Sequence, residues 1–422
     1  MPETPQPTPN DTSAKEAVAP TQTNAAAAQR RSKALTTFFL AAALSATLIA
    51  LLLGYLIFAP APIDMTPSPG AAVNVTPAAP NTIRLVAPRS LIPPDLLADF
   101  QTETNIIIEL VPYDDDEALG ADGTNAMAGD VILASGTVIQ KLIAQNRLSV
   151  LPARQISNLG HIDPSLRTVA APYDKGGLHS VPFAWTSYGL GINREAVSAV
   201  LGAAAKLDSW ALVFDPAKAG KLAACGIHSV ATPSIAFPVA LKYLQLSPQS
   251  DAPGDTERAS ALWEAARPFI AALDTRSVIE DLGTGKVCVA LAAMSDVYQA
   301  RSLAQGAGKK SAIEFIAPHE GTVMRVYLLA LSRMSAAGAN GAALINYLLR
   351  PEVSARLTNS KGVANAVPGS HLYVRQEIKD DPVISPDVGA FQHLTPDMSP
   401  SPATVSLRER FWLLISAGPK AP

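Results

Sequence analysis

A chain of 422 residues, 48% hydrophobic and 16% charged, is long enough for two domains and apolar enough to bury a large core. A formal net charge of −3 excludes the basic footprint of a nucleic-acid binder. Cys225 and Cys288 stand outside any CxxC, so a thiolate metal centre is excluded; the two are either small buried hydrophobes or, outside the cytoplasm, a disulfide.

Residues 1–33 are rich in Pro, Thr, Asn, Gln and Ala, too poor in large apolar side chains to offset the entropy of ordering, and are expected to be a disordered cytoplasmic tail. Arg30, Arg31 and Lys33 precede the uncharged run 34–58, which exceeds the roughly 20 residues a helix needs to cross a bilayer. Basic residues on its N-terminal flank place that end in the cytoplasm and the rest of the chain outside it. The run reads as an uncleaved anchor; a cleaved signal ending near Ala59-Pro60-Ala61 is the alternative. Residues 59–81 form a Pro- and Ala-rich spacer.

The folded part is expected from Thr82. Ile83 to Val86 reads as a strand, Pro94 to Thr104 as an amphipathic helix and Ile106 to Val111 as a strand, which together imply a parallel unit. Asp130 to Leu133 is a further strand, so Ser135 and Thr137 fall at a strand's carboxyl end, where α/β sheets bind ligands, or serve as N-caps for the helix Val138 to Gln145. SVPFAWTSYGLGIN, 180–193, is followed by alternating helices and strands: helices at Pro238 to Leu246 and Glu257 to Leu273, a strand at Cys288 to Ala292 and a helix at Asp296 to Gln305. PHEGTVMRVYLLAL, 318–331, turns at Glu320-Gly321 into an apolar strand carrying Arg325 and Tyr327. Beyond it, Gly341 to Leu349 reads as a helix closed by Pro351, and Leu407 to Ser416 as the last helix. GxSxG, HExxH and GxxxxGK patterns are missing, no histidine lies near a candidate nucleophile in the motif pieces and no paired carboxylates are expected at one cleft position, which argues against an enzyme or a bound cofactor.

The order and spacing of DVILAS at 130–135, VPFAWTSYGLGIN at 181–193, DSWALVF at 208–214, GKVCVA at 285–290, SDVYQA at 295–300, PHEG at 318–321 and INYLLRPEV at 345–353 resemble the periplasmic polyamine-binding proteins of ABC importers, the putrescine branch above all. The resemblance covers Ile83 to Gly418. It implies an α/β, two-lobed periplasmic binding protein (type II-like) after the N-terminal transmembrane helix, with one lobe from 82–188 and 318–422, the other from 189–317, and crossings at Tyr188 to Asn193 and 318–331. It also implies a Cys225 to Cys288 disulfide, a polyamine solute, ABC permease subunits as partners, and a place at the periplasmic face of the inner membrane, or in the periplasm if the helix is cleaved.

The implied ligand set is Arg89, Ser90, Ser135, Thr137, Trp185, Thr275, Asp296, Arg325 and Tyr327, and it departs from the family. A polyamine site needs carboxylates for its ammonium ends and aromatic walls for its methylenes. The family's acidic and aromatic positions correspond here to Pro88 to Leu91, Ser234, Ile235, Ala293, Arg325, Tyr327 and Val363, which leaves Asp296 as the one retained carboxylate. A buried Arg325 requires an anion, with Asp296 the nearest candidate by family geometry. Three readings follow: an importer component for polyamines, a diverged sensor or scaffold whose cleft is filled by an Arg325 to Asp296 pair, or a binder of an anionic solute held by Arg89 and Arg325.

Overall fold

The computed structural model describes residues 81–418 apart from 121–122, 309–311, 382–383 and 385–393. The expected tail, membrane span and all but the end of the spacer lie outside them, and among the described residues no helix is long and apolar enough to cross a membrane.

In the first lobe, β1 (Thr82–Pro88), α1 (Pro94–Thr104) and β2 (Ile107–Tyr113) form the expected parallel unit, and β3 (Val131–Ser135) joins β1 on its other side before α2 (Gly136–Ala144). The chain then runs through one long strand, β4 (Ser180–Asn193), into the second lobe. There α3 (Arg194–Leu201), β5 (Ile227–Ser229), α4 (Pro233–Tyr243), α5 (Pro253–Ala266), β6 (Ala272–Leu273), α6 (Val278–Thr284), β7 (Val289–Ala293), α7 (Met294–Gly306) and β8 (Ile313–Ile316) alternate. It returns through β9 (Thr322–Leu331), followed by α8 (Gly338–Leu348), α9 (Pro351–Lys361), β10 (Ala364–Asn365), β11 (Leu394–Pro396) and α10 (Pro402–Ser416).

β4 and β9 join the lobes. Ser180 to Ser187 pair antiparallel with β9, while Tyr188 to Asn193 pair with β7 and β8, so the strand changes sheet between Ser187 and Tyr188. Every residue of β9 is buried, as strands covered on both faces must be, hence its nearly continuous apolar run. The turn before it is pinned to the second lobe. Gly321 takes φ +86°, Ser209 and the Trp210 amide donate to the Glu320 carboxylate at 2.5 and 3.3 Å, and the Trp210 indole donates to the Gly321 carbonyl at 3.0 Å. The Cys225–Cys288 disulfide is formed and joins the turn before β5 to the start of β7.

Several boundaries differ from expectation. α4 begins at Pro233 rather than Pro238, and Pro351 opens α9 instead of only closing α8, because a proline's fixed φ suits a first helical turn as well as it stops a preceding one. The C-terminal helix α10 packs on the second lobe, with Trp412 edge-on to Trp263 at 5.3 Å and its indole donating to the Ala231 carbonyl at 3.0 Å. The expected grouping of 318–422 with the first lobe therefore stops short of this helix.

Candidate functional site

A cavity of about 510 Å³ opens between the lobes where β4 and β9 cross. The carboxyl ends of β1 and β2 deliver Arg89, Ser90 and the run Asp114-Asp115-Asp116 to one wall; β9 delivers Arg325 and Tyr327, which share a face because strand side chains alternate. The second lobe supplies Tyr188, Thr275, Arg276 and, from the first turn of α7, Asp296.

Arg325 is 3% exposed and fully engaged. Its Nε donates to Asp397 Oδ2 at 2.6 Å, one Nη donates to Ser234 Oγ at 3.0 Å, the other Nη lies 3.7 Å from Asp116, and its guanidinium carbon sits 5.6 Å from the centre of the Tyr188 ring. Burial works against its charge, but Tyr188, Asp116 and Asp397 outweigh burial and hold the pKa above the ordinary arginine value. Asp397 is fixed from behind by the Tyr173 hydroxyl at 3.0 Å. Burial raises its pKa to about 6 against the pull of Arg325. The expected Arg325 to Asp296 pair is thus replaced by a pair with Asp397.

Asp296 stands apart from this cluster. At the third position of α7 its carboxylate turns back to the Ala293 amide, and among the described residues it has no ion-pair partner. Burial raises its pKa to about 7, with the Ala293 amide opposing. At the cavity mouth Asp114 holds Arg89 on one oxygen and Arg276 on the other, both at 3.0 Å, so a first-lobe carboxylate grips a second-lobe guanidinium. All three side chains are partly or largely exposed, and such pairs contribute at most about 1 kcal/mol each. Arg325 is thus committed within the protein, whereas Arg89 gives only its Nε to Asp114 and stays largely exposed.

The structure brings Arg89, Ser90, Thr275, Asp296, Arg325 and Tyr327 to the cavity and excludes the other predicted ligands. Ser135 lies beneath it as the N-cap of α2, accepting from the Val138 amide at 3.4 Å and donating to Asp116 at 2.6 Å. Thr137 faces a second cavity of about 400 Å³ behind Asp397. Trp185 is 4% exposed in β4, paired with Val326 and Ala364, and belongs to the first-lobe core. Asp296 is not the one remaining carboxylate, since Asp114, Asp115 and Asp116 line the same cavity. The signal for them was legible in YDDDE at 113–117, an acidic run at the carboxyl end of a predicted strand.

Two α/β lobes joined by crossing strands around a ligand-sized polar cleft define a solute-binding protein. The chain belongs to the bacterial extracellular solute-binding protein family, whose model matches residues 95–386. It is 30% identical over 330 residues to the putrescine-binding periplasmic protein SpuD of Pseudomonas aeruginosa, covering 78% of this chain and 89% of that one. It is 29% identical over 329 residues to the putrescine-binding periplasmic protein PotF of Escherichia coli, with the same coverage. Its fold is that of the spermidine/putrescine ABC transporter substrate-binding protein PotD of Streptococcus pneumoniae, with a TM-score of 0.65 at 18% identity over 80% of this chain and 99% of that one.

Proposed function

We propose that this chain is the extracytoplasmic solute-binding component of an ABC import system for polyamines of the putrescine and spermidine type, or a related primary amine. Residues 34–58 tether it to the membrane with the N-terminus in the cytoplasm, and ABC permease subunits receive the loaded form. The observation that carries the reading is Asp296, a carboxylate lining the interlobe cavity with no cation of its own among the described residues. A primary ammonium supplies the missing charge and at least one hydrogen bond, while Tyr188 and Tyr327 offer aromatic surface to its methylenes. The names of the relatives agree with an amine solute. Closure of the lobes over the amine, aided by the Asp114 to Arg276 contact, is the signal the permease reads.

Calorimetric titration of the purified full-length protein with putrescine, spermidine and short monoamines tests the reading. At least one amine is expected to bind well below millimolar, with an Asp296→Asn variant losing that binding by about 30-fold or more, as removal of one partner of a desolvated charge pair implies. No heat with any amine at millimolar concentration would sink it.

A further inference from the structure

Resting on the amine reading and narrowing it, we infer that the cavity selects a solute with one ammonium end and an uncharged, hydrogen-bonding far end, because Arg325 already fills the second cationic position with a tethered guanidinium. A diamine needs two anionic cradles. One of the two here is occupied by the protein itself: Asp397 at 2.6 Å, Asp116 at 3.7 Å, Ser234 at 3.0 Å and the Tyr188 ring at 5.6 Å form a carboxylate-and-aromatic cage, and a side chain from β9 sits in it. The cage draws on both lobes, Asp116 from the loop after β2 and Ser234 from α4, so closing the lobes completes it around Arg325 whether or not solute is present.

The remaining charges leave room for one cation. Asp114 is held between Arg89 and Arg276, and Asp115 accepts from the Ala118 amide at 3.1 Å. The lining carries Asp114, Asp115, Asp116 and Asp296 against Arg89, Arg276, Arg325 and Lys361, and the buried Asp397 behind Arg325 brings the carboxylates to five against four cations, a balance suited to one incoming charge and unsuited to two. A dication reaching from Asp296 toward β9 meets a fixed guanidinium, and like charges at such range repel strongly in a water-poor site. The far end of the solute has a different partner available. Thr275 lines the cavity, and among the described residues its buried Oγ1 has no hydrogen-bond partner, an arrangement that a solute hydroxyl or carbonyl would satisfy.

The decisive comparison is 4-amino-1-butanol against putrescine, near-isosteres differing in the charge of one end, titrated calorimetrically into the full-length protein at pH 8 and physiological salt. The amino alcohol is expected to bind at least about tenfold tighter. Arg325→Ala is expected to narrow or invert that ratio by freeing Asp397 and Asp116 for a second ammonium, and Thr275→Val to weaken the amino alcohol alone. Should Arg325→Ala fold poorly, Arg325→Gln keeps a donor for Asp397 without the charge and is expected to shift the ratio the same way. The inference is overturned if putrescine binds the wild type as well as or better than the amino alcohol, if putrescine binding to the wild type is lost in Asp115→Asn, or if the ratio is unmoved in both Arg325 variants. Tight putrescine binding that depends on Asp296 would refute single-ended selection and leave the amine reading intact; silence to every amine would remove both.

Discussion

Amine binding is predicted to follow the ionisation of Asp296. Between pH 5 and 8 a primary ammonium keeps its proton, since its pKa lies near 10, whereas the Asp296 carboxyl, raised to about 7 by burial, changes charge inside that window. If only the carboxylate holds the ammonium, the apparent Kd rises as the ionised fraction falls, about tenfold at pH 6 and about 100-fold at pH 5 relative to a plateau above pH 8. The stability of the ligand-free protein moves in the same pH window with its own sign. The folded state holds this proton more tightly than an unfolded aspartate at 3.8, so the group's contribution is fully present below 3.8 and is lost as pH rises through 7. That loss is at most about 4 kcal/mol, and less because the carboxyl lines a solvent-reachable cavity. The ligand therefore raises the melting temperature most above pH 7, where the empty site is least favourable. Calorimetry across pH 5 to 8 checks the profile, with Asp397→Asn separating the other raised carboxyl, at about 6, from the effect. A Kd that stays flat within about twofold across the window would refute the assignment of Asp296 as the ammonium's partner.

Other expectations are structural. Reducing or replacing the Cys225–Cys288 disulfide should cost about 2–5 kcal/mol and lower the melting temperature of the second lobe, measured by calorimetry with and without reductant. Trp263→Ala removes a fully buried ring held edge-on by Phe214 and Trp412 and should cost about 3–5 kcal/mol in denaturant unfolding. Gly191→Ala in β4 would bring a methyl within 2.6 Å of Val297 and 2.8 Å of Leu282; overpacking of this kind costs about 1–3 kcal/mol, and it should disturb α7 and with it the Asp296 position, seen as loss of amine affinity beyond the loss of stability. Arg276→Ala breaks only an exposed interlobe pair and should change stability by less than about 1 kcal/mol, while raising the rate of amine release.

Much of the fold was legible because its signals are local. Strand and helix alternate with the period changes that βαβ units require, and the two crossing strands were readable as long apolar runs. What misled were prolines, which stop one helix and start another with the same fixed φ, so Pro351 and Pro238 did not mark the boundaries expected of them. The membrane span expected at 34–58 lies outside the described residues and rests on composition and charge alone.

The site was legible in part, and the reason lies in how a cavity acquires its charge. The resemblance implies a carboxylate where Tyr327 stands and an aromatic side chain where Arg325 stands, but it carries no sign that Asp116 and Asp397 enter from other segments. Asp116 was within reach of sequence reasoning, since YDDDE follows a strand and faces the same end of the sheet as Arg89. Asp397 was not. It sits in DMSPSP, a stretch without periodicity, and it meets Arg325 only because residues 394–396 add as a parallel strand beside β9, where the Asp397 amide then donates to the Met324 carbonyl at 2.9 Å. The pairing also follows from energetics. A guanidinium buried in a strand covered on both faces costs several kcal/mol unless a carboxylate shares its burial, and breaking such a pair costs about 3–5 kcal/mol. A segment carrying Asp397 into that position therefore stabilises the fold and takes one cationic position out of the cleft at the same time, so a change that reads as loss of a polyamine site becomes a change in how many charges the solute is required to carry.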